Sequence, residues 1–197
     1  MTENKFTFSF DGHQFSFETG AGVFSKERVD TGSRILLDEF IKHEQPAITA
    51  RILDLGCGYG FMGIVLAGTL DGVTVIAVEI NPKAAKFAAR NAINNGIGNL
   101  AVHAIDFLDA TQRNEVLGGT RFEYVVFNPP IKAGKNAIAS LINAALDCLA
   151  PEGIMYIVMK TSLGAKTWQE HFEAMEHVEL SVFRESGYRV FKLALKS

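Results

Sequence analysis

Between residues 51 and 160, short apolar segments alternate with segments of helical periodicity, and this alternation limits the possible fold more than any other feature. The apolar segments are rich in β-branched residues and almost continuous, which is typical of strands buried on both faces of a sheet. Strands that alternate with helices predict a doubly wound α/β fold with a mostly parallel sheet. The five predicted core strands cover residues 51–57, 73–80, 100–106, 122–128 and 154–160, and the helical patterns cover 60–70, 81–96, 135–153 and 164–178.

Both ends of the chain predict β-hairpins. An Asp-Gly pair between alternating apolar and polar residues in 5–18 is a strong signal for a two-residue hairpin loop. The predicted register pairs Phe6 with Phe17 and Phe8 with Phe15. We expect this aromatic face to pack on the domain, and a platform that stacks nucleic-acid bases is the alternative.

At the other end, residues 179–197 turn at Gly187 and predict a closing hairpin. Its two strands extend the sheet to seven and provide an antiparallel strand at the C-terminal end. We therefore expect one domain over residues 1–197, in which 1–20 form an N-terminal hairpin extension and 21–197 form the core.

The composition limits the partners and the compartment. A net charge of −3 argues against a general polyanion binder, because sequence-independent affinity for nucleic acid depends on many phosphate contacts. The two cysteines, Cys57 and Cys148, lie in a glycine loop and a helical pattern, so we expect neither a disulfide framework nor a metal site. No apolar run approaches the roughly 18 residues of a membrane span, and no apolar signal core opens the sequence. We expect a cytoplasmic protein without a membrane partner.

A glycine-rich loop follows the first core strand and leads into a helix. Gly56, Gly58 and Gly60 allow a tight turn and close approach to a ligand, which would face the amide groups of the helix N-terminus. Glu79 ends the next strand, 19 residues after Gly60, where an acid commonly accepts hydrogen bonds from ribose hydroxyls. Asp106 ends the third strand at the same edge, where ligands bind in such sheets. We also expect cofactor contacts from the residues after these acids, Ile80 and Phe107.

The glycine loop admits two interpretations. Gly58, Gly60 and Gly63 match the dinucleotide pattern G-x-G-x-x-G, so a nicotinamide enzyme is an alternative. The segment DLGCGYG begins earlier, with Asp54 two residues before the first glycine. This frame resembles the first motif of class I S-adenosylmethionine-dependent methyltransferases, which have a Rossmann-like fold. The resemblance implies S-adenosyl-L-methionine as the cofactor and Asp54 as part of its site.

The fourth core strand ends in Asn128, Pro129 and Pro130. Proline restricts the preceding residue to an extended conformation, and the two prolines remove amide donors, so the segment is a stiff ledge of oxygen acceptors. An amide oxygen and a backbone carbonyl can accept both hydrogens of a planar amine. The segment resembles the N-P-P motif of methyltransferases that act on exocyclic or amide nitrogens; a cis-proline turn is the alternative. If hydrogen-bond acceptance is the main role of Asn128, Asn128→Asp should be milder than Asn128→Ala.

A second segment, GAGVFSKERVDTGSRILL at residues 20–37, resembles the methyltransferase small domain family, which includes the small-subunit ribosomal RNA guanine-N2 methyltransferases. The resemblance implies that Gly32 and Ser33 lie near the methionine end of the cofactor and that Asp30 shapes this loop. Simple capping of the helix that follows is the alternative for Asp30 to Ser33.

The chain departs from that family in two ways. The larger guanine-N2 enzymes carry a second, degenerate copy of the domain, and their motif usually continues with an aromatic residue and a histidine. Here Ile131 and Lys132 follow the prolines, so an apolar contact would replace stacking on the target base. Lys132 and Lys135 could contact RNA phosphate or could be solvated loop charges; a local basic patch would add Lys26, Arg28 and Arg34.

These features together predict an S-adenosylmethionine-dependent N-methyltransferase that modifies the N2 amine of a guanine in small-subunit ribosomal RNA. Asn128, Pro129 and Pro130 would be catalytic, and Ile131, Lys132 and Lys135 would bind the RNA or the ribosomal subunit. A protein glutamine N-methyltransferase is one alternative, since it uses a similar N-P-P ledge. A binding module that retains the cofactor without catalysis is another, against which the retained Asn128 argues.

Overall fold

The computed structural model describes residues 3–20, 29–47 and 49–196, with nine strands and six α-helices in these ranges. The strands are β1 (Glu3–Phe10), β2 (His13–Gly20), β3 (Arg51–Leu55), β4 (Thr74–Glu79), β5 (Leu100–Ala104), β6 (Phe122–Phe127), β7 (Leu149–Lys160), β8 (Val178–Glu185) and β9 (Tyr188–Leu195). The helices are α1 (Thr31–His43), α2 (Phe61–Thr69), α3 (Pro82–Asn94), α4 (Ala110–Leu117), α5 (Lys135–Leu146) and α6 (Ala165–Glu173). Single 3-10 turns cover Ile131–Ala133 and Thr161–Leu163.

Seven strands form one sheet in the order β5-β4-β3-β6-β7-β9-β8. The first five are parallel, whereas β9 runs antiparallel to both β7 and β8. The predicted doubly wound, mostly parallel seven-stranded sheet is therefore confirmed. The chain order reverses between β3 and β6, and a crevice at such a switch point is where open α/β sheets bind ligands.

The core has two layers, one on each face of the sheet. Neighbouring residues of a strand face opposite layers: Val126 packs with the layer formed by α1, α2, α3 and the hairpin, whereas Val125 and Phe127 pack with the layer formed by α4, α5 and α6. This arrangement explains the continuous apolar strands, because both faces are covered by helices. No helix in the described ranges is long and apolar enough to cross a membrane.

The N-terminal hairpin has the predicted register, with Phe6 opposite Phe17 and Phe8 opposite Phe15. Phe15 and Phe17 are buried in the first core layer, and the ring of Phe6 stacks on Phe17 at 5.6 Å between centroids. Packing on the domain is therefore confirmed over an exposed platform for bases.

Several predicted boundaries are wrong; for example, α6 ends at Glu173 and not at residue 178, and β3 ends at Leu55 and not at residue 57. The helical pattern 135–153 ends as a helix at Leu146, and β7 begins at Leu149 because this segment pairs with Phe122 on β6. The third core strand, β5, ends at Ala104, so Asp106 lies two residues beyond the strand. Helix α4 was missed because its sequence is largely polar and buries only Leu117.

Candidate active site

The carboxyl ends of β3, β4 and β6 meet at one edge of the sheet. Leu55 at the end of β3 lies opposite Val78 on one side and Phe127 on the other, so the three following loops begin at the same level. The loop after β3 is joined to β4 by a hydrogen bond from Cys57 N to Val78 O at 3.0 Å. The glycine loop, Glu79 and Asn128 therefore surround the switch point of the sheet.

The glycines of the loop have different reasons to be glycine. Gly56, Gly58 and Gly60 have φ angles of +65°, +58° and +89°, which side chains other than glycine rarely adopt. A Cβ atom on Gly58 would meet nothing within 4 Å, so its backbone faces open space. A Cβ atom on Gly60 would lie 3.0 Å from the Cβ of Ala88, so this glycine allows close packing on α3. Open backbone at Gly58 is the feature that a bound cofactor requires.

Asp54 lies beneath this loop. Its side chain is fully buried, and Oδ2 accepts a hydrogen bond from Gly63 N in α2 at 2.7 Å. Burial raises the pKa of Asp54 to about 7, with a further rise from the nearby Glu79 and an opposing effect from the Gly63 hydrogen bond. The other oxygen, Oδ1, has no hydrogen-bond partner among the described residues. Asp54 thus supports the loop from inside rather than facing a ligand at the surface.

Glu79 ends β4 with its carboxylate at the sheet edge. Its oxygens accept hydrogen bonds from Gly58 N at 2.9 Å and Asn81 N at 2.8 Å. Each carboxylate oxygen has a second acceptor site, so both can still bind a hydroxyl group. The next residue, Ile80, is 67% exposed, which is unusual for a large apolar side chain and leaves it available to cover a ring.

Asp106 and Phe107 occupy different environments despite being adjacent. Asp106 Oδ1 accepts a hydrogen bond from Leu108 N at 3.0 Å in a turn at the sheet edge. The Phe107 side chain is buried in the second core layer. Any ligand contact from Phe107 would therefore involve its backbone more than its ring.

Asn128 is the polar residue at the end of β6, and its amide nitrogen has two partners. Nδ2 donates to Asp30 Oδ2 and to Ser33 Oγ, each at 2.8 Å. Pro129 is buried and Pro130 is exposed, and no cis peptide bond occurs in the described ranges, so the cis-proline alternative is wrong. No donor among the described residues bonds to the side-chain oxygen of Asn128, which is therefore available as an acceptor.

Asp30 is also the N-cap of α1. Its Oδ2 accepts a hydrogen bond from Ser33 N at 2.9 Å, so the capping interpretation is confirmed. Gly32 lies between them in close contact with the ring of Tyr188, which a Cβ atom would approach to 3.1 Å. The same carboxylate that begins α1 therefore also holds Asn128, which sequence reasoning did not predict.

The loop after β6 carries the predicted substrate-binding residues. Ile131 is 51% exposed, and Lys132 and Lys135 are exposed as well. Lys135 borders a groove between α5 and α6 with a volume of about 200 Å³. The other residues lining that groove are Asn136, Ala139, Thr167, Trp168 and His171.

Only part of the expected basic patch lies within the described residues. Lys26 and Arg28 lie outside the described residues, as does the GVFS segment. Arg34 forms ion pairs with Asp38 at 3.0 Å and Glu185 at 3.9 Å, so its charge is already partly balanced. Lys132 and Lys135 are the members of the patch that lie beside the Asn-Pro-Pro ledge.

Sequence reasoning missed an apolar rim at this edge. Among the described residues, four of the five exposed large apolar side chains follow four of the five parallel strands, β4, β5, β6 and β7. Exposed apolar side chains grouped around a cleft are typical of a ligand site. Of these four, Leu108 and Leu163 were not predicted, because only the strand order brings the loops together. The rim consists of Ile80, Leu108, Ile131 and Leu163.

The sequence matches known proteins over almost its whole length. Residues 14–192 match the model of the methyltransferase small domain. The uncharacterized protein YbxB of Bacillus subtilis is 34% identical over 194 residues, covering 98% of this chain and 92% of that protein. Ribosomal RNA small subunit methyltransferase C of Vibrio cholerae is 27% identical over 158 residues, covering 78% of this chain and 43% of that enzyme. The chain thus spans less than half the length of this second relative.

The fold also matches a solved structure. The T. thermophilus 16S rRNA N2 G1207 methyltransferase, in complex with AdoMet and guanosine, superposes with a TM-score of 0.80 at 24% identity. The match covers 98% of this chain and 51% of that one. At this identity the likeness shows a common fold, whereas the family follows from the sequence match. The chain belongs to the methyltransferase small domain family.

Proposed function

We propose that this chain is an S-adenosylmethionine-dependent N-methyltransferase that modifies the exocyclic N2 amine of a guanine in small-subunit ribosomal RNA. One observation carries the proposal: Asn128 stands at the switch point beside the glycine loop, with its nitrogen bonded to Asp30 and Ser33 and its oxygen available. The proposal is further supported by family membership and by the rRNA substrates in the names of the V. cholerae and T. thermophilus proteins.

The cofactor is S-adenosylmethionine, in keeping with the family. The residues at the sheet edge fit this group: the backbone at Gly58 faces open space, Glu79 can accept two more hydrogen bonds, and Ile80 offers an uncovered apolar surface. In our proposal Glu79 binds the ribose hydroxyls and Asp106 binds the amino edge of the adenine. The remaining contacts would come from the glycine loop and the start of α1, namely Gly56, Gly58, Gly60, Gly32 and Ser33.

The protein contributes chiefly by positioning. When bound, S-adenosylmethionine supplies an electrophilic methyl group, whose bond to sulfur breaks as its bond to the acceptor nitrogen forms. Asn128 Oδ1 and the Pro129 carbonyl would accept the two hydrogens of the acceptor amine and orient its lone pair. The same acceptors would stabilise the positive charge that develops on nitrogen, and the surplus proton then leaves to solvent. Ile131 would cover one face of the target base.

The decisive experiment is transfer of an isotope-labelled methyl group. RNA and small ribosomal subunits from a strain that lacks this protein are incubated with it and labelled cofactor, and the products are digested to nucleosides. We expect N2-methylguanosine in the RNA as the labelled product. Label in a glutamine side chain of a protein would identify the protein-modifying alternative, and cofactor binding without any transfer would identify a binding module.

Asn128→Ala tests the role of the ledge. The substitution removes the side-chain acceptor but leaves both prolines and the glycine loop. Turnover should fall by about 10², a loss of roughly 2.7 kcal/mol in transition-state stabilisation, while the Kd for the cofactor stays within a few-fold. A folded Asn128→Ala protein with normal turnover would contradict the proposed mechanism. Single-turnover kinetics and calorimetry on the same preparation measure the two quantities.

A further inference from the structure

We infer that Asp30 and Ser33 are positioning residues for this reaction: they hold the amide nitrogen of Asn128 so that its carbonyl oxygen faces the acceptor amine. The inference rests on the proposed function, since it assigns how the Asn128 acceptor is aimed. It adds residues that lie almost 100 positions earlier in the chain and that no motif links to the Asn-Pro-Pro ledge.

The orientation of the amide follows from its partners. The Asn128 Nδ2 group carries two hydrogens, and its two acceptors, Asp30 Oδ2 and Ser33 Oγ, both lie at 2.8 Å. The opposite orientation would place the carbonyl oxygen against the carboxylate, where oxygen lone pairs repel one another. The pair therefore selects one of the two amide orientations, and that orientation leaves the oxygen to accept.

The Ser33 hydroxyl is itself oriented. The hydroxyl oxygen lies 3.3 Å from Asp30 Oδ2 and donates to it, which leaves its lone pairs to accept from Asn128. The backbone nitrogen of Ser33 donates to the same Asp30 oxygen at 2.9 Å. Because Ser33 is 8% exposed, water competes little with these contacts. The residues that cap α1 thus fix the orientation of the Asn128 side chain through these hydrogen bonds.

The charge on Asp30 has an additional effect. A carboxylate that accepts from the amide nitrogen polarises the amide and makes its oxygen a stronger acceptor, because hydrogen bonds in a chain reinforce one another. Asp30 would thus raise the affinity of the Asn128 oxygen for an amine whose charge grows during the reaction.

This arrangement reverses an expectation from the sequence. With acceptance as the only criterion, Asn128→Asp should be milder than Asn128→Ala. In the structure, Asn128→Asp would place a second carboxylate within hydrogen-bond distance of Asp30 Oδ2, where the amide nitrogen now lies at 2.8 Å. We expect Asn128→Asp to be at least as impaired as Asn128→Ala. Asp30→Asn keeps an oxygen that can accept from Ser33 N and from Asn128 Nδ2 but removes the charge, so it should lower turnover less than Asn128→Ala does.

A double-mutant cycle separates positioning from cofactor binding. Ser33→Ala should lower turnover about tenfold, the effect of one lost hydrogen bond, and measuring turnover at saturating cofactor keeps this loss separate from any change in the Kd for S-adenosylmethionine. Ser33→Thr keeps the hydroxyl and should recover most of the turnover. Because Ser33 acts through Asn128, the double variant Ser33→Ala/Asn128→Ala should be no slower than Asn128→Ala alone.

The outcomes distinguish this inference from the function on which it rests. Normal turnover of Asn128→Ala would overturn the proposed mechanism and this inference with it, whereas absence of methyl transfer by the unsubstituted protein would overturn the proposed function. Impaired Asn128→Ala combined with an additive loss from Ser33→Ala would overturn the positioning role alone, as would a loss of cofactor affinity in Ser33→Ala with unchanged turnover. Turnover of Asp30→Asn equal to that of the unsubstituted protein would remove Asp30 from the assignment.

Discussion

At the level of single residues, the two acids nearest the glycine loop have opposite environments. Asp54 is fully buried and bonded to Gly63 N, whereas Glu79 is partly exposed and bonded to Gly58 N and Asn81 N. Burial penalises the charged form of a carboxyl group, while amide donors stabilise it. The first acid is therefore expected to affect stability and the second to affect ligand binding.

Asp54 should make the stability of the cofactor-free protein depend on pH. Its pKa rises from an ordinary 3.8 to about 7 in the folded protein, so the folded state binds more protons than the unfolded state between these values. The free energy of unfolding should consequently decrease as pH rises from about 4 to about 7, by at most roughly 4 kcal/mol.

Asp54→Asn removes this titration and should flatten the decrease. Urea unfolding of both proteins at several pH values across this range measures the effect. Parallel pH profiles for the two proteins would show that Asp54 does not titrate in this window.

Glu79→Gln tests the ribose contact without changing the size of the side chain. It removes the charge and one acceptor, and hydrogen bonds to charged groups contribute roughly 1.5–3 kcal/mol each. The Kd for S-adenosylmethionine should therefore increase at least about tenfold by calorimetry. Glu115→Gln, at an exposed position on α4, is the matched control and should bind normally. Equal affinity of the two variants would place Glu79 outside the cofactor site.

At the level of elements, two side-chain amides, one in helix α3 and one at its C-cap, complete the outer edge of β2. Asn95 bonds to both the N–H and the C=O of Ser16, and Asn91 does the same for Glu18, at 2.8 to 3.0 Å. Four residues of helix rise about 6.0 Å, close to the roughly 6.6 Å of two strand residues, so the two amides match the spacing of the strand. They act as a substitute for a further paired strand.

Asn91 also connects the hairpin to the glycine loop. Its Nδ2 donates to Tyr59 O at 2.9 Å, and the ring of Tyr59 contacts Phe17 edge-on with centroids 5.7 Å apart. The Asn91 side chain is fully buried, whereas the hydrogen bonds between Asn95 and Ser16 are exposed to solvent. The hairpin is therefore expected to influence the loop that we propose to hold the cofactor.

Asn91→Ala and Asn95→Ala form a matched pair. Asn91→Ala leaves buried backbone groups of Glu18 and Tyr59 unpaired, so we expect a loss of about 3 kcal/mol in unfolding free energy and weaker cofactor binding. Asn95→Ala should cost less than about 1 kcal/mol, because water can replace its more exposed bonds. Denaturant unfolding and calorimetry measure both effects. Equal cofactor affinity in the two variants would argue against coupling of the hairpin to the loop.

At the level of the whole molecule, the RNA substrate that we propose would have to bind to a chain of net charge −3, so cations close to the site matter most. Lys132 and Lys135 are exposed beside the ledge, and Lys135 borders the groove between α5 and α6. Lys196 lies at the opposite edge of the sheet, because the antiparallel strand β9 ends beside the start of β7.

Lys132→Ala and Lys135→Ala should each weaken RNA binding and reduce the slope of log affinity against log salt by about one unit if the lysine contacts phosphate. Lys196→Ala is the control and should leave the slope unchanged. The measurement is a fluorescence titration of the RNA identified by methyl transfer at several salt concentrations. A slope unaffected by either substitution would identify both lysines as solvated loop charges.

The features encoded in short stretches of sequence could be predicted without the structure. The alternation of strands and helices, the register of the hairpin around Asp11 and Gly12, and the turn at Gly56 to Gly60 all depend on neighbouring residues. Apolar periodicity and the freedom of glycine at positive φ are local properties, so the chain carries them at each position. The approximate place of the candidate site could also be predicted from the sequence, because parallel strands end at a common edge.

The partners of the site residues depended on the tertiary structure. Asp30 was recognisable as a helix cap, but its bond to Asn128 exists only because the start of α1 lies beside the end of β6. Likewise, no local pattern shows that Asn91 bonds across to Glu18 and Tyr59. Such contacts join residues distant in sequence, and their formation depends on strand order and helix placement. The sequence by itself determined the kinds of acceptor and donor at the sheet edge, whereas long-range packing decided which of them face each other.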